Sequence, residues 1–193
     1  MFEEFRKYLG YRINISESAF GEVIKLMVLK KACKHETLLK AGETYHKGYF
    51  VLKGCIRSYC ISNGKEFVMQ FAPEHWWMGD KNTLAKPGPA LLNIDALEDS
   101  WVLQFGPDFL EKMERIAPEF RYMMQDIQQN NYRAMQERVI NLLGLNADEK
   151  YTQFIKTYPG LANRVPLQMI ASYIGVTPQT LSRVRAKVYA PVL

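Results

Sequence analysis

The apolar positions of this chain fall into two textures. Over residues 1–10 and about 16–32 they recur at three- and four-residue intervals. Phe20, Val23, Ile24 and Met27 form one stripe behind Ser16 or Ser18 as an N-cap, so both stretches are predicted to be helical. From about 33 to 105 the period shortens. Short β-prone runs (TLLKAGE, YFVLKGCIRSYCI, SNGKEFVMQFA, WWMGD, LLNIDALED, SWVLQF) are punctuated by Gly42, Gly48, Gly54, Gly64 and Gly79. Asn63-Gly64 is a two-residue hairpin signal between alternating runs. Turns at such regular spacing predict a small antiparallel roll or barrel. Phe105 closes it, and Gly106-Pro107-Asp108 opens a helix over 108–115.

Pro118 starts a long helix predicted over 118–143, with sparse apolar positions. Met123, Ile127, Asn130, Ala134 and Glu137 follow a 4-3-4-3 spacing, which makes an a/d seam containing a polar Asn. A polar residue in such a seam fixes register and partner number at a cost in stability. This helix is read as a dimer helix between two domains. Packing onto the β domain of its own chain is the plain alternative. Asn146-Ala147-Asp148 then caps a helix over 147–157, which ends at Tyr158-Pro159-Gly160.

The sharpest pattern lies at residues 165–187. Leu167, Ile170, Ala171 and Ile174 form the apolar face of one helix. Gly175 stands where the chain reverses into a left-handed conformation that costs glycine nothing, and Val176 plugs the gap between the helices. Thr177 is an N-cap and Pro178 suits the first turn of a second helix. That helix places Leu181, Val184 and Val188 on one side. Gln179, Ser182, Arg183 and Ala186 fall on the other by steps of about 100°. Small residues allow close approach, and Gln and Arg pair bidentately with adenine and guanine in the major groove. The pattern is a helix-turn-helix whose second helix reads DNA. An ordinary helical hairpin with an incidental Arg is the plain alternative.

Charge agrees. From Arg164 to Leu193 the chain has Arg164, Arg183, Arg185 and Lys187 and no acidic residue, so this tail carries +4 of the formal net charge of +5. Phosphate contact needs such a patch. A hydrophobic content of 48% with 23% charged residues over 193 positions describes a globular, soluble chain. No apolar run approaches the ~20 residues that span a bilayer. The opening MFEEFRKYLGYRINI lacks the apolar core of a signal peptide, so a cytoplasmic protein is expected. Cys33, Cys55 and Cys60 cannot all pair and form no CxxC, which reads as reduced structural thiols. His46 and His75 stand alone, without the clustered ligands of a roll-shaped metal enzyme. Phosphate loops, HExxH and GxSxG are absent, so no enzyme is predicted and no metal site is assigned. Trp76-Trp77 beside Met78 is expected to cap the roll or pack near the long helix.

This layout resembles the Crp/Fnr superfamily of bacterial transcription regulators over nearly the whole chain. The resemblance is carried by YFVLKGCIRSYCISNGKEFVMQF, by WWMGD, by the ALED turn at 96–99 and by PLQMIASYIGVTPQTLSRVR. In the last motif the chain matches at Ile170, Ala171, Gly175, Thr177, Pro178, Thr180, Leu181, Ser182 and Arg183. The fold implied is α+β: an N-terminal antiparallel β-roll (double-stranded β-helix or jelly-roll type) sensor domain, a long dimerisation helix and a C-terminal helix-turn-helix domain. The expected boundaries are 1–117 for the cyclic-nucleotide-binding-like sensor, 118–145 for the dimerisation helix and 146–193 for the DNA-binding domain. The implied function is sequence-specific, homodimeric transcription regulation on double-stranded DNA at a palindromic operator, with RNA polymerase as an open partner. The DNA-binding candidates are Thr177, Pro178, Gln179, Ser182, Arg183, Arg185 and Lys187. Many members have Glu where this chain has Gln179. That exchanges an acceptor for cytosine amines for an amide suited to adenine, so the operator sequence does not carry over.

The sensor half departs from the cyclic-nucleotide pattern, in which a Gly-Glu pair holds the ribose and an Arg-Ser pair about ten residues on holds the phosphate. Gly79-Asp80 matches the first pair loosely, and the second falls near Pro89-Ala90. No Arg occurs from Ser58 to Glu114. Burying a phosphate without a bidentate cation is expensive. Gly79, Asp80, Lys81, Pro89 and Ala90 are the candidate effector pocket, in a sensor that has lost or changed its phosphate site. No cofactor is predicted. Three scattered cysteines do not supply the four of the iron–sulfur branch, and haem stays open through His35, His46, His75 or a cysteine. The alternative function is a small-molecule sensing module, for a cyclic nucleotide or haem, whose helix-turn-helix contacts protein.

Overall fold

The computed structural model describes residues 1–44, 47–79 and 88–188. The chain forms two compact units: Met1–Cys60 with Gln70–Gln129, and Ile61–Met69 with the chain from Asn130 on.

The first unit opens with α1 (Phe2–Gly10) and α2 (Glu17–Lys25). Ser16 caps α2 by accepting from the Ala19 N–H at 3.1 Å. The helix expected over 16–32 stops at Lys25, and Met27–Ala32 is strand β1. Its six residues pair in register with β8 (Ser100–Phe105), from Met27↔Phe105 to Ala32↔Ser100. The local spacing fits either element, and the long-range ladder decides.

Among the described residues eight strands then make the expected roll, adding β2 (Thr37–Leu39), β3 (Gly48–Lys53), β4 (Ile56–Ser62), β5 (Lys65–Ala72), β6 (Trp77–Gly79) and β7 (Asn93–Ala96) to β1 and β8. They form two four-stranded sheets, in the orders β1-β8-β3-β6 and β2-β7-β4-β5. Asn63 and Gly64 take φ 51° and 71° in the β4–β5 hairpin, the left-handed pair that their sequence predicts. Gly48 and Gly79, expected as turns, instead pair with each other across β3 and β6. Glycine is required at 48 because the Phe105 ring occupies the space a Cβ would take. Tyr49, Val51, Ile56, Ala72, Met78, Ile94, Ala96 and Val102 share one buried core cluster of the roll. The Tyr49 hydroxyl donates to the Leu38 carbonyl at 2.6 Å, and burial pushes its pKa up, so it remains a donor.

A second core joins α1, α2, α3 (Phe109–Ile116) and the start of α4 (Phe120–Gly144) to Phe50, Leu103 and Phe105. Trp77 is its hub. Its ring lies 4.9 Å from Phe50, 5.5 Å from Phe105 and 6.1 Å from Phe120, centroid to centroid. Its Nε1–H donates to the Tyr8 hydroxyl at 2.8 Å. The expectation that the Trp pair packs near the long helix holds for Trp77, while Trp76 packs against the other core cluster.

The expected seam divides along the long helix. Met123 is buried in the core of the first unit, and Ile127 packs against that core while staying half-buried. Asn130, Ala134 and Glu137 are exposed. The apolar positions left in water in the second half of α4 are Tyr132, Met135, Val139, Ile140 and Leu143. At about 100° per residue, Tyr132, Met135, Val139 and Leu143 share one face.

β4 and β7 also carry a buried ion pair. Arg57 faces Asp95 in register, with Nε to Oδ1 at 2.8 Å and Nη2 to Oδ2 at 2.9 Å. The two residues are 4% and 8% exposed. The guanidinium sits 4.1 Å from the Tyr59 ring centroid. Removing one partner strands the other charge in a dry site. Arg57→Ala is therefore expected to cost about 3–5 kcal/mol of stability. Urea unfolding of this variant checks the value, and a loss under about 1 kcal/mol, the range of a surface pair, would contradict it.

Candidate nucleic-acid interface

In the second unit α5 (Ala147–Thr157) has the bounds expected from its sequence. Asn146 and Glu149 close a reciprocal capping box at its N-terminus. Tyr151 and Phe154 of α5, with Tyr158, Leu161 and Val165 after it, are buried beside Ile170, Ala171 and Ile174 of α6 (Leu167–Ile174) and Leu181 and Val184 of α7 (Pro178–Val188).

Between α6 and α7 the chain turns as predicted. Gly175 ends α6 at φ 69° and ψ 41°. A Cβ there would lie 2.8 Å from Leu142 Cδ2, so a larger residue would push that methyl aside as well as strain the backbone. The Val176 N–H returns to the Ala171 carbonyl at 3.0 Å. Thr177 Oγ1 accepts from the Thr180 N–H at 3.1 Å and caps α7, with Pro178 as its first residue.

These constraints fix which way α7 faces. Leu181 and Val184 are 0% and 4% exposed, while Gln179, Ser182, Arg183 and Ala186 are exposed on the other side. Thr177 and Pro178 are exposed at its N-terminal end. The structure thus brings together five of the predicted DNA-binding residues: Thr177, Pro178, Gln179, Ser182 and Arg183. Arg185 is half-buried, and Lys187 is exposed with Nζ 3.7 Å from Asp148 Oδ2. No acidic residue lies on α7 to compete for a phosphate. The arrangement can present one amide, one guanidinium and small side chains to a groove.

Of the candidate effector residues, Gly79, Pro89 and Ala90 are described. Gly79 is a strand residue, Pro89 is exposed and Ala90 is buried. The Ala90 backbone is committed, its N–H to the Glu43 carbonyl and its carbonyl to the Gly42 N–H, both at 2.8 Å. Asp80 and Lys81 lie outside the described residues. Pro89 and Ala90 carry no cation, and Arg57, the Arg preceding this stretch, is bound to Asp95.

Of the haem candidates, His35 and His75 occupy left-handed turns at φ 68° and 67°, and His46 lies outside the described residues. Cys33 is exposed, Cys55 buried and Cys60 half-buried. Among the described residues no group of three or more His, Cys, Asp or Glu is placed to hold a metal ion. No described helix is long and apolar enough to cross a membrane.

Sequence reasoning missed two residues. Arg138 on α4 and Ser172 on α6 grip the backbone of β5. Their partners lie 69 to 106 positions away in the chain, so no local pattern could reveal them.

Comparison with known proteins agrees with this architecture. Residues 29–115 match the family model of the cyclic nucleotide-binding domain. Over 182 residues the chain is 26% identical to the anaerobic regulatory protein of Pasteurella multocida, covering 88% of this chain and 66% of that one. It is also 26% identical over 182 residues to the fumarate and nitrate reduction regulatory protein of Vibrio cholerae, covering 88% of this chain and 72% of that one. The chain therefore spans about two thirds of the length of the first of these relatives. In fold it is similar to FixK2 from Bradyrhizobium japonicum, with a TM-score of 0.73, 21% identity and 84% of each chain covered.

Proposed function

We propose that this chain, whose sequence and fold are those of the Crp/Fnr superfamily, is a homodimeric, sequence-specific DNA-binding transcription regulator. One observation carries the proposal. The Gln179–Ser182–Arg183–Ala186 face of α7 is exposed, while the opposite face is locked into the core by Leu181 and Val184. The relatives' names point the same way, since they are regulators. Thr177 and Pro178 flank the reading face, and Arg185 and Lys187 supply charge for the DNA backbone. The reading assigns no reaction to the chain. It places the protein in the cytoplasm, acting at a palindromic operator with RNA polymerase as the partner class. Its sensor answers to something other than a cyclic phosphate, because the matched positions carry no cation for one.

Dimerisation is proposed through the second half of α4. Tyr132, Met135, Val139 and Leu143 share one face and are 48% to 85% exposed. A stripe of this size on a helix calls for a partner, and a second copy places two reader helices at major grooves about one turn apart (~34 Å).

Arg183 is predicted to contact guanine. Arg183→Ala should cost about 1–3 kcal/mol on a selected site and relax one operator position. Binding to that site and to random DNA separates the roles, because equal weakening on both would reduce Arg183 to a phosphate contact. Val139→Lys should dissociate the dimer in analytical ultracentrifugation. A dimer of unchanged strength would remove this stripe from the interface.

A further inference from the structure

β5 lies at one edge of its sheet, beside β4. An edge strand presents unpaired N–H and C=O groups along its open side. Within the second unit side chains take up these groups. Ser172 of α6 stands in for a residue of a neighbouring strand. Its Oγ accepts from the Val68 N–H at 3.1 Å and donates to the Glu66 carbonyl at 3.0 Å. Arg138 of α4 takes the carbonyls beside it. Nη1 donates to Met69 O at 2.7 Å, and Nη2 to Val68 O at 2.9 Å.

The same Nη2 donates to the Tyr173 carbonyl at 3.0 Å, and the guanidinium lies 4.2 Å from the Tyr173 ring centroid. Tyr173 is in the last turn of α6, where a cation also meets the negative end of the helix dipole. One cation therefore joins the hairpin, the long helix and the first helix of the helix-turn-helix. Its hydrogen bonds are charge-assisted, the stronger class, and Val68 at the centre is 1% exposed.

We propose that the tip of the β4–β5 hairpin is a clasp that holds the helix-turn-helix, with Arg138 as its pin and Ser172 as its catch. Residues 61–69 of this unit are continuous in the chain with the rest of β4 and β5. The clasp braces the reader and does not cover it. It engages Ser172 and Tyr173, and leaves Gln179, Ser182 and Arg183 on α7 exposed. Arg138 and Ser172 are positioning residues. Their effect on DNA rests on the reading of α7 given above, whereas the clasp itself does not.

The test uses the full chain, with Ser172→Ala, Arg138→Gln and Arg138→Lys. Hydrogen exchange at the Val68 amide reads the clasp directly. The unaltered chain should protect Val68, and Ser172→Ala and Arg138→Gln should each speed its exchange by about tenfold or more with α5 to α7 unchanged. Affinity for a selected operator should fall about tenfold in both, with Arg138→Lys recovering part of the loss. Arg183→Ala should lose operator affinity while Val68 stays protected. Ser172→Ala decides the matter if Arg138→Gln does not fold. Val68 exchanging as fast as Gly64 in the unaltered chain would overturn the proposal. So would operator affinity within about twofold of the original in both variants. A chain that selects no DNA would sink the reading of α7, and exchange at Val68 would still decide whether the clasp exists.

Discussion

What α7 can show to solvent is set by what its other side must bury. Leu181 and Val184 fill the space beside Ile170, Ala171 and Ile174, and that packing fixes the rotation of α7 about its axis. Gly175 sets the direction in which the chain leaves α6. It does so in a left-handed conformation that glycine adopts without steric cost. Thr177 then starts the helix at a fixed residue. Once the turn, the cap and the buried pair are set, the positions of Gln179, Ser182 and Arg183 follow by helical geometry alone. A single slip of register would bury Ser182 or Arg183 at a cost far above what an exposed polar side chain gains.

The roll and its helices obey a different constraint. One large aromatic core, centred on Trp77, ties α1, α2, α3 and the start of α4 to the sheet. The other core cluster is closed by apolar side chains and by the Tyr49 hydroxyl bonded to Leu38. The Arg57 guanidinium is spent on Asp95 and stacked on Tyr59. A roll built in this way keeps the outline of a cyclic-nucleotide-binding domain while placing no cation at the matched phosphate positions.

Local chemistry made part of this legible in the sequence. Asn63-Gly64, Gly175 and Thr177-Pro178 each declare a backbone conformation through their own side chains or the lack of one, and each stands where it was expected. The box at Asn146 and Glu149 is equally local. Features settled by distant partners were hidden. Met27–Ala32 reads as the end of a helix until β8 claims it. Gly48 and Gly79 read as turns until they pair across two strands and the Phe105 ring fills the gap. Ile127 fits a dimer seam by spacing and also packs, half-buried, against its own core, and the exposed apolar face of α4 begins beyond it. Arg138 is one more charged residue on a polar helix until β5 is brought beside it.

Selection of double-stranded DNA from a random library by the full chain, at physiological salt, tests the central claim most directly. The account predicts enrichment of a twofold-symmetric sequence, with half-site centres about one helical turn apart (~34 Å) and an adenine or guanine step in each half-site under Gln179 and Arg183. A pool no different from the input would contradict it.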